Sequence, residues 1–558
     1  MSEIVIQNND YVESKLSGPE DKVDDTTTVV PAAISTNYKV HRGLKPHAIQ
    51  MIAISGAIGA GVFISIGGPL TKAGPLGLLI GVAIWCSVVW CFSNCLIEMV
   101  SLLPLPGGFV YYSGRFLDPS ARFALGWNYV IQGIAFVCFE LTALNVLVEY
   151  WAESLNPAIV ISAGLVALAA ANGVSVRVYG EVEFWISIFK VILLLGLFLF
   201  TFVAMLGGNP IHDRFGFRFW KTPGLFAADD VAGRLKGIWA SVTWATFAIA
   251  GPDFISMVAG ETKHPRRVLP RAFNTTIYRI LTFYLGSALC VGINVPYNDP
   301  SLLGAIVNGA KGAAKSPYVI SMNRLQIPVL PDLVNAIVLT SVFSTASSFL
   351  YASSRSLYSL GLEGQAPKIV TRTNRHGLPY VAVGVILAIS SLSYLAVGKG
   401  SAKVLDWFIN LTSSCQLISW ICIGGTYVRF HAGLKAQGLR KGYLPVTNRW
   451  QPYSGWYALA ASCFTMVFTG YYLMSPGSFV VADFIFVYGA CFIFIVLFVS
   501  WKIRGVISGE ERWFGIHVME MDFKSGVNEV EQMTLEYEEE YSANPPKNLG
   551  EKVYRKVF

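Results

Sequence analysis

Two short stretches inside otherwise apolar runs offer backbone groups rather than side chains for chemistry. The first is Ser55-Gly56-Ala57-Ile58-Gly59-Ala60-Gly61-Val62-Phe63 and the second is Phe247-Ala248-Ile249-Ala250-Gly251-Pro252-Asp253. Glycine in a helix costs about 1 kcal/mol relative to alanine, and proline about 3, so both stretches are places where a helix should break. A break frees N–H groups at a half-helix N-terminus, which suit a carboxylate. It also frees carbonyls at a half-helix C-terminus, which suit an ammonium. Gly59, Ala60 and Gly61 are the expected N–H donors; Ala57, Phe247, Ala248 and Ala250 are the expected carbonyl acceptors. Together they would hold a zwitterion. Small residues also let helices pack closely, and it is Pro252 beside Gly251 that favours a functional break over that reading.

Four ionisable residues interrupt apolar runs: Glu98, Glu140, Lys190 and Asp253. Charge within a membrane span is expensive and points to function by default. Glu140 would line the pocket or relay protons, or else be tied into a helix–helix hydrogen bond. Lys190 would gain and lose a coupling proton, or else snorkel to an interface. Glu98, near a helix end, is expected to pair structurally with an arginine. Asp253 is expected to cap the N–H groups freed at its own break. Phe247 and Ile249 flank that break, and Phe247 is placed as a gate over the bound side chain.

The elements that must position these groups follow from composition. The chain of 558 residues is 53% hydrophobic and only 14% charged, against about 25% charged in soluble domains. That excludes a soluble or disordered chain and leaves a polytopic membrane protein. A span needs about 20 apolar residues. Twelve candidates lie at about 48–67, 76–101, 124–150, 157–175, 183–206, 236–259, 273–294, 332–356, 379–397, 404–429, 455–474 and 479–502. The two glycine-marked stretches fall in the first and sixth spans. Interrupted segments in matching places, five spans apart, are the pattern of an inverted-repeat transporter.

The larger share of Lys and Arg lies in the loops on the side of the N-terminus, including Lys39, Arg42, Lys45, Arg266, Arg267, Arg271, Lys435 and Arg440. That side is therefore read as cytoplasmic, with both termini on it. The organisation reads as a disordered acidic N-tail (1–45), spans one to seven (46–295), an extracellular loop (296–331), spans eight to twelve (332–502) and a cytoplasmic C-tail (503–558). No signal peptide is expected. The nine cysteines sit in apolar runs without ligand or redox spacing, and serve as apolar filler. All seven histidines lie in tails or loops, so no intramembrane enzyme motif forms. The basic residues are dispersed and give no nucleic-acid signal.

At the residue level the chain resembles the fungal amino-acid permeases of the amino acid–polyamine–organocation superfamily. The likeness is carried by His41-Arg42-Gly43-Leu44-Lys45, Ile58-Gly59-Ala60-Gly61, Glu98-Met99, Phe123 to Tyr129, Gly180-Glu181-Val182-Glu183-Phe184-Trp185, Ala259 to Thr262, Val295 to Pro300, Tyr351 to Arg355 and Gly364 to Lys368. Within that family it looks most like the dicarboxylic branch, through Gly207 to Arg214, Gly216 to Trp220 and Gly400 to Lys403. The resemblance implies an all-α fold of 12 transmembrane helices, with a 5+5 inverted-repeat (LeuT-like) core and broken helices 1 and 6. It places Lys190 beside helix eight, with Ser344, Ser347 and Ser348 as hydroxyl neighbours. It also implies ubiquitin-ligase machinery acting on the tails, where Lys15 and Lys22 lie. The chain departs from the family pattern at Ala60, Pro252-Asp253 and Ser347. Glu140 matches the acid of neutral and basic permeases, and a second carboxylate near the pocket would repel an acidic substrate.

The expected activity is proton-coupled import of amino acids across the fungal plasma membrane, with neutral or broad specificity favoured over strictly acidic. No cofactor is expected beyond the coupling proton; the expected partners are the substrate, the bilayer and the ubiquitin machinery. The alternative is a nutrient-sensing homologue that transports little.

Overall fold

The computed structural model describes residues 58–105, 107–173, 176–257, 259, 265–306, 316–374, 377–474 and 479–543. Ala57, the N-tail with Lys15 and Lys22, and the leading part of the first span lie outside them. Among the described residues every regular element is helical. Nine helices among these residues are long and apolar enough to cross a membrane.

The chain enters through a bend at Ile58-Gly59 and a π-helical turn, Gly61–Ser65. It continues into α1 (Gly67–Leu102), which folds back on itself at Gly74-Pro75. Gly74 has φ +75°, and a Cβ there would lie 2.7 Å from the Leu225 carbonyl, so only glycine fits this corner. A short helix, α2 (Gly108–Phe116), then precedes α3 (Pro119–Val148). The start of α3 is set by the Asp118 carboxylate accepting from the Ser120 N–H at 2.9 Å, with Pro119 in the first turn.

Next come α4 (Pro157–Gly173) and α5 (Val176–Met205). The sixth span is divided into α6 (Val231–Ala248) and α7 (Pro252–Met257). The remaining long helices are α8 (Pro265–Asn294), α9 (Leu330–Leu362), α10 (Tyr380–Gly398), α11 (Ser401–Ala436), α12 (Tyr453–Met474) and α13 (Val481–Ile507). A last amphipathic helix, α14 (Val527–Ala543), lies in the C-terminal segment.

Three of the twelve expected spans fall outside the nine for identifiable reasons. The first is described only from Ile58. At 17 residues α4 reaches about 26 Å, short of a hydrocarbon core of about 30 Å. The sixth is cut by its break. The expected loop at 296–331 is more structured than anticipated. It holds helices Pro300–Ile306 and Pro317–Arg324 and buries Leu302, Tyr318 and Met322. The Asp299 carboxylate caps the first of them through the Ser301 N–H at 2.9 Å.

α3 and α9 form the centre and make the most extensive helix–helix contact, followed by α3 with α11 and α1 with α6. In the apolar window of α3, 94% of residues are buried, against 11% in α13. The difference separates an interior helix from a peripheral one. α5 shows the logic of a lipid solvent: Trp185, Phe189, Ile192, Leu199 and Phe202 are exposed, whereas Glu183, Ser187, Lys190 and Thr201 are buried. Charge faces the protein and hydrocarbon faces out, the reverse of a soluble helix.

Candidate functional site

The second break is fully visible. α6 ends at Ala248, Ile249 is extended (φ −99°, ψ 91°), and Gly251 takes φ +149° before Pro252 opens α7. Pro252 has no N–H to return to the Ala248 carbonyl. The Gly251 N–H turns instead to the Asp253 carboxylate at 3.2 Å. The carbonyls of Phe247 and Ala248 thus lose their helical partners. Asp253 is the cap expected of it, and its second oxygen accepts from the Gln416 side chain at 3.2 Å.

The first break faces the second. A Cβ at Gly61 would lie 3.4 Å from the Ala248 Cβ and 3.5 Å from the Phe247 ring. The absence of side chains at Gly59 and Gly61 is what lets the two broken segments, α3 and α9 converge. Around Gly59, a Cβ would fall 2.9 Å from Thr345 and closer still to the Glu140 carboxylate. Both Glu140 oxygens lie 3.4 Å from the Ala60 nitrogen. One of the N–H groups expected to bind a carboxylate therefore already faces one, supplied by the protein.

Lys190 is 1% exposed, so its ammonium is enclosed and does not snorkel. It donates to the Thr345 hydroxyl at 3.0 Å, and that hydroxyl lies 3.0 Å from the Ile58 carbonyl. The Ser341 hydroxyl donates to the same carbonyl at 3.2 Å. Lys190 also interacts electrostatically with Glu183 and Glu140. Of the three expected serines, Ser344 and Ser348 donate to the Glu183 carboxylate, Ser348 at 3.1 Å. Ser347 accepts from the Asn172 amide at 2.9 Å. At 100° per residue Ser347 lies about 160° round α9 from Thr345, so it faces α4 instead of the lysine.

Thr345 and Glu183 are the members that sequence reasoning missed. Thr345 sat unremarked in the run Ser341-Val342-Phe343-Ser344-Thr345-Ala346-Ser347-Ser348. Glu183 lies two turns before Lys190 on one helical face, a spacing that could have revealed it.

Beside the breaks the walls are aromatic. Phe247 meets Phe139 edge-on at 4.6 Å and Phe136 in a stack at 5.5 Å, and Phe136 stacks on Phe349 at 3.7 Å. Ile249 is fully buried. Next to the second break a neutral network joins α3 and α11. Gln132 donates to Gln416, Ser419 donates to Gln132 at 3.1 Å, and Asn128 donates to Ser419 at 3.0 Å. Glu98 stands apart from the site. It accepts from the Tyr427 hydroxyl at 2.5 Å and the Asn448 N–H at 2.7 Å. These two donors give it the structural role expected of it; the arginine expected to pair with it is not one of these two.

Residues 48–505 match the family model described as "Amino acid permease". A general amino acid permease of Saccharomyces cerevisiae is 38% identical over 505 residues, covering 89% of this chain and 84% of the relative. A proline-specific permease of Emericella nidulans is 37% identical and covers 94% of each chain. The dicarboxylic amino acid permease of Saccharomyces cerevisiae is 38% identical and covers 78% of this chain and 72% of its own. Relatives named for general, proline and dicarboxylic uptake thus stand at nearly equal identity.

Proposed function

The chain belongs to the amino acid permease family, a family of multi-pass membrane transporters, and on that premise we propose that it imports amino acids with neutral side chains, or a broad set of them, across the fungal plasma membrane in symport with protons. The observation that carries this reading is the direct apposition of the two breaks, Gly59–Gly61 against Phe247–Gly251, beside an aromatic wall. The substrate carboxylate takes the N–H groups of Gly59, Ala60 and Gly61. Its ammonium takes the carbonyls of Ala57, Phe247, Ala248 and Ala250. The side chain lies against Phe136, Phe247 and Ile249, and Phe247 closes over it. The apolar rings and the neighbouring Glu140 disfavour an acidic side chain.

Coupling follows from the Glu140 contact. An arriving carboxylate competes for the Ala60 N–H that Glu140 now faces. Displaced, Glu140 turns to a proton or to Lys190. Lys190, held on Thr345 beside the Ile58 carbonyl, carries the coupling charge against the first break. A membrane potential favours inward movement of that proton by about 2.3 kcal/mol per 100 mV. The architecture is read as 12 spans, with spans one to five and six to ten as inverted repeats around a midplane site. Spans eleven and twelve are then peripheral, which the exposure of α12 and α13 supports. Both termini face the cytoplasm by the Lys and Arg distribution, where the tails are open to ubiquitin-dependent control.

The test is uptake of a panel of labelled amino acids by a permease-deficient fungal host, at several external pH values with and without an uncoupler. Saturable, uncoupler-sensitive uptake of neutral amino acids that rises with acidity is expected. No uptake of any amino acid would refute transport and leave the sensing homologue. Uptake indifferent to pH and uncoupler would refute proton symport.

A further inference from the structure

A second buried carboxylate stands behind Lys190, and nothing in the binding scheme uses it. Glu183 is 2% exposed on α5. Seven residues separate it from Lys190, about 10 Å along the helix and two turns nearer the end expected to face the cytoplasm. Helical side chains lean toward the helix N-terminus, so the lysine stem carries its ammonium back toward Glu183. Both groups are buried, and both are held by neighbouring hydroxyls of α9, Lys190 on Thr345 and Glu183 on Ser344 and Ser348. The Glu183 carboxylate is held by the hydroxyls of Ser344 and Ser348, on successive turns of α9.

We propose that Glu183 is the inward proton acceptor of the coupling site: it takes the proton from Lys190 and passes it to cytoplasmic water. This rests on the proton-symport reading above. In the step, an N–H bond of the Lys190 ammonium breaks and an O–H bond forms on Glu183. Lys190 becomes a neutral amine and Glu183 a neutral acid, which then gives the proton to water. The next proton reaches Lys190 from the outer side by way of Glu140. Net charge within the pair is unchanged during the internal transfer, so the transfer requires no uncompensated charge in the apolar interior.

The surroundings suit this role. Among the described residues α9 offers the pair the hydroxyls of Ser344, Thr345 and Ser348. From α3 it meets Glu140, the other charged group interacting with Lys190. From α4 comes the Asn172 amide, spent on Ser347. On α5 itself Ser187 turns its hydroxyl to the Glu183 backbone carbonyl at 2.7 Å and leaves the carboxylate to α9. On the far side, α8 reaches α5 through Asn294, whose amide donates to the Thr201 hydroxyl at 2.6 Å, about three turns beyond Lys190, with Cys290 near the same hydroxyl. The hydroxyls can donate to the carboxylate or accept from the acid, so Glu183 is accommodated in both protonation states.

The full-length protein in proteoliposomes separates proton transfer from substrate binding. The probe is the labelled amino acid taken up fastest by the wild type. Wild type should accumulate it against a gradient under an imposed proton gradient, and should also exchange it across the membrane without one. Glu183→Gln should lose accumulation and its pH dependence while retaining exchange, and Glu183→Asp should recover part of the accumulation. A Glu183→Gln protein that accumulates like wild type would overturn the proposal. So would one that is folded, by its unfolding temperature, yet loses exchange as fully as accumulation, because that marks a merely structural carboxylate. Failure of the symport reading is recognised separately: wild type itself would then accumulate nothing in response to a proton gradient.

Discussion

Gly59 shows how much of this site depends on what a residue lacks. Its interest in the sequence was an N–H group, but its place in the structure is decided equally by the missing Cβ. Even one methyl there would meet Thr345 at 2.9 Å and the Glu140 carboxylate more closely still. Both neighbours belong to the cluster proposed for coupling, so the collision would push those groups apart. Gly59→Ala is therefore expected to lower uptake at least about tenfold, a barrier change of about 1.4 kcal/mol, with normal delivery to the cell surface. Uptake of labelled substrate alongside surface labelling checks this, and near-normal uptake would show that the junction yields easily. Lys190 and Glu140 were legible because charge in an apolar run is conspicuous. Thr345 was not, since hydroxyls are common in spans and only the three-dimensional register of α9 distinguishes the one that meets the lysine from Ser347, which does not. Glu183 was hidden differently: it sits close to a span end, where a carboxylate normally reaches water, and its burial by α9 is a tertiary fact.

At the scale of elements, the two breaks illustrate different uses of glycine. Gly251 has open space where a Cβ would go, but its φ of +149° is one that L side chains rarely adopt. Strain in such regions costs about 1–3 kcal/mol. Gly251→Ala thus isolates backbone geometry from steric collision. It should lower the unfolding temperature of the purified protein and weaken substrate binding, seen as a raised KM, because α6 and α7 would tilt to relieve the strain and move the carbonyls of Phe247 and Ala248. An unchanged KM and unfolding temperature would mean that the break tolerates other backbone angles. The existence of this break could be read from Gly251-Pro252 alone, since loss of an N–H and of helical φ are local properties. The place where α1 turns back could not be read as closely. Gly74-Pro75 marks a turn, but the sharpness of the corner is imposed by Leu225 and Phe226 from a distant loop. The helices at 300–306 and 317–324 were likewise missed, because their burial depends on neighbours and not on a local apolar run.

Across the whole molecule, the C-terminal segment behaves as part of the fold and not only as a tail. Chain beyond α13 returns along the ends of α2, α3 and α11. Lys502 pairs with Asp118 at 2.6 Å and Glu511 at 3.3 Å, and Ser120 donates to Glu511 at 2.5 Å. Arg115 binds the Asp522 carbonyl at 2.6 Å and its carboxylate at 3.0 Å. Gln437 holds the carbonyls of Val518 and Met521 at 3.1 and 2.9 Å. Phe523, 1% exposed, stacks on Phe116 at 5.2 Å and meets Phe430 at 5.6 Å. The Lys502 pairs are enclosed, while Asp522 reaches water and its pair contributes little; the enclosed Phe523 ring is the apolar anchor of the segment. Removing such a ring typically costs about 3–5 kcal/mol. Phe523→Ala should therefore lower the unfolding temperature and the amount of protein at the cell surface, whereas Leu535→Ala, on the exposed face of α14, should leave both unchanged. The contrast matters because the segment is tied to both α2 and the end of α11. On the proposed alternating-access reading, such a staple would restrain those helices when the site opens toward it. Loss of the staple without loss of stability would instead make residues 511–523 a mere passenger, and thermal unfolding of the two variants side by side decides between these outcomes.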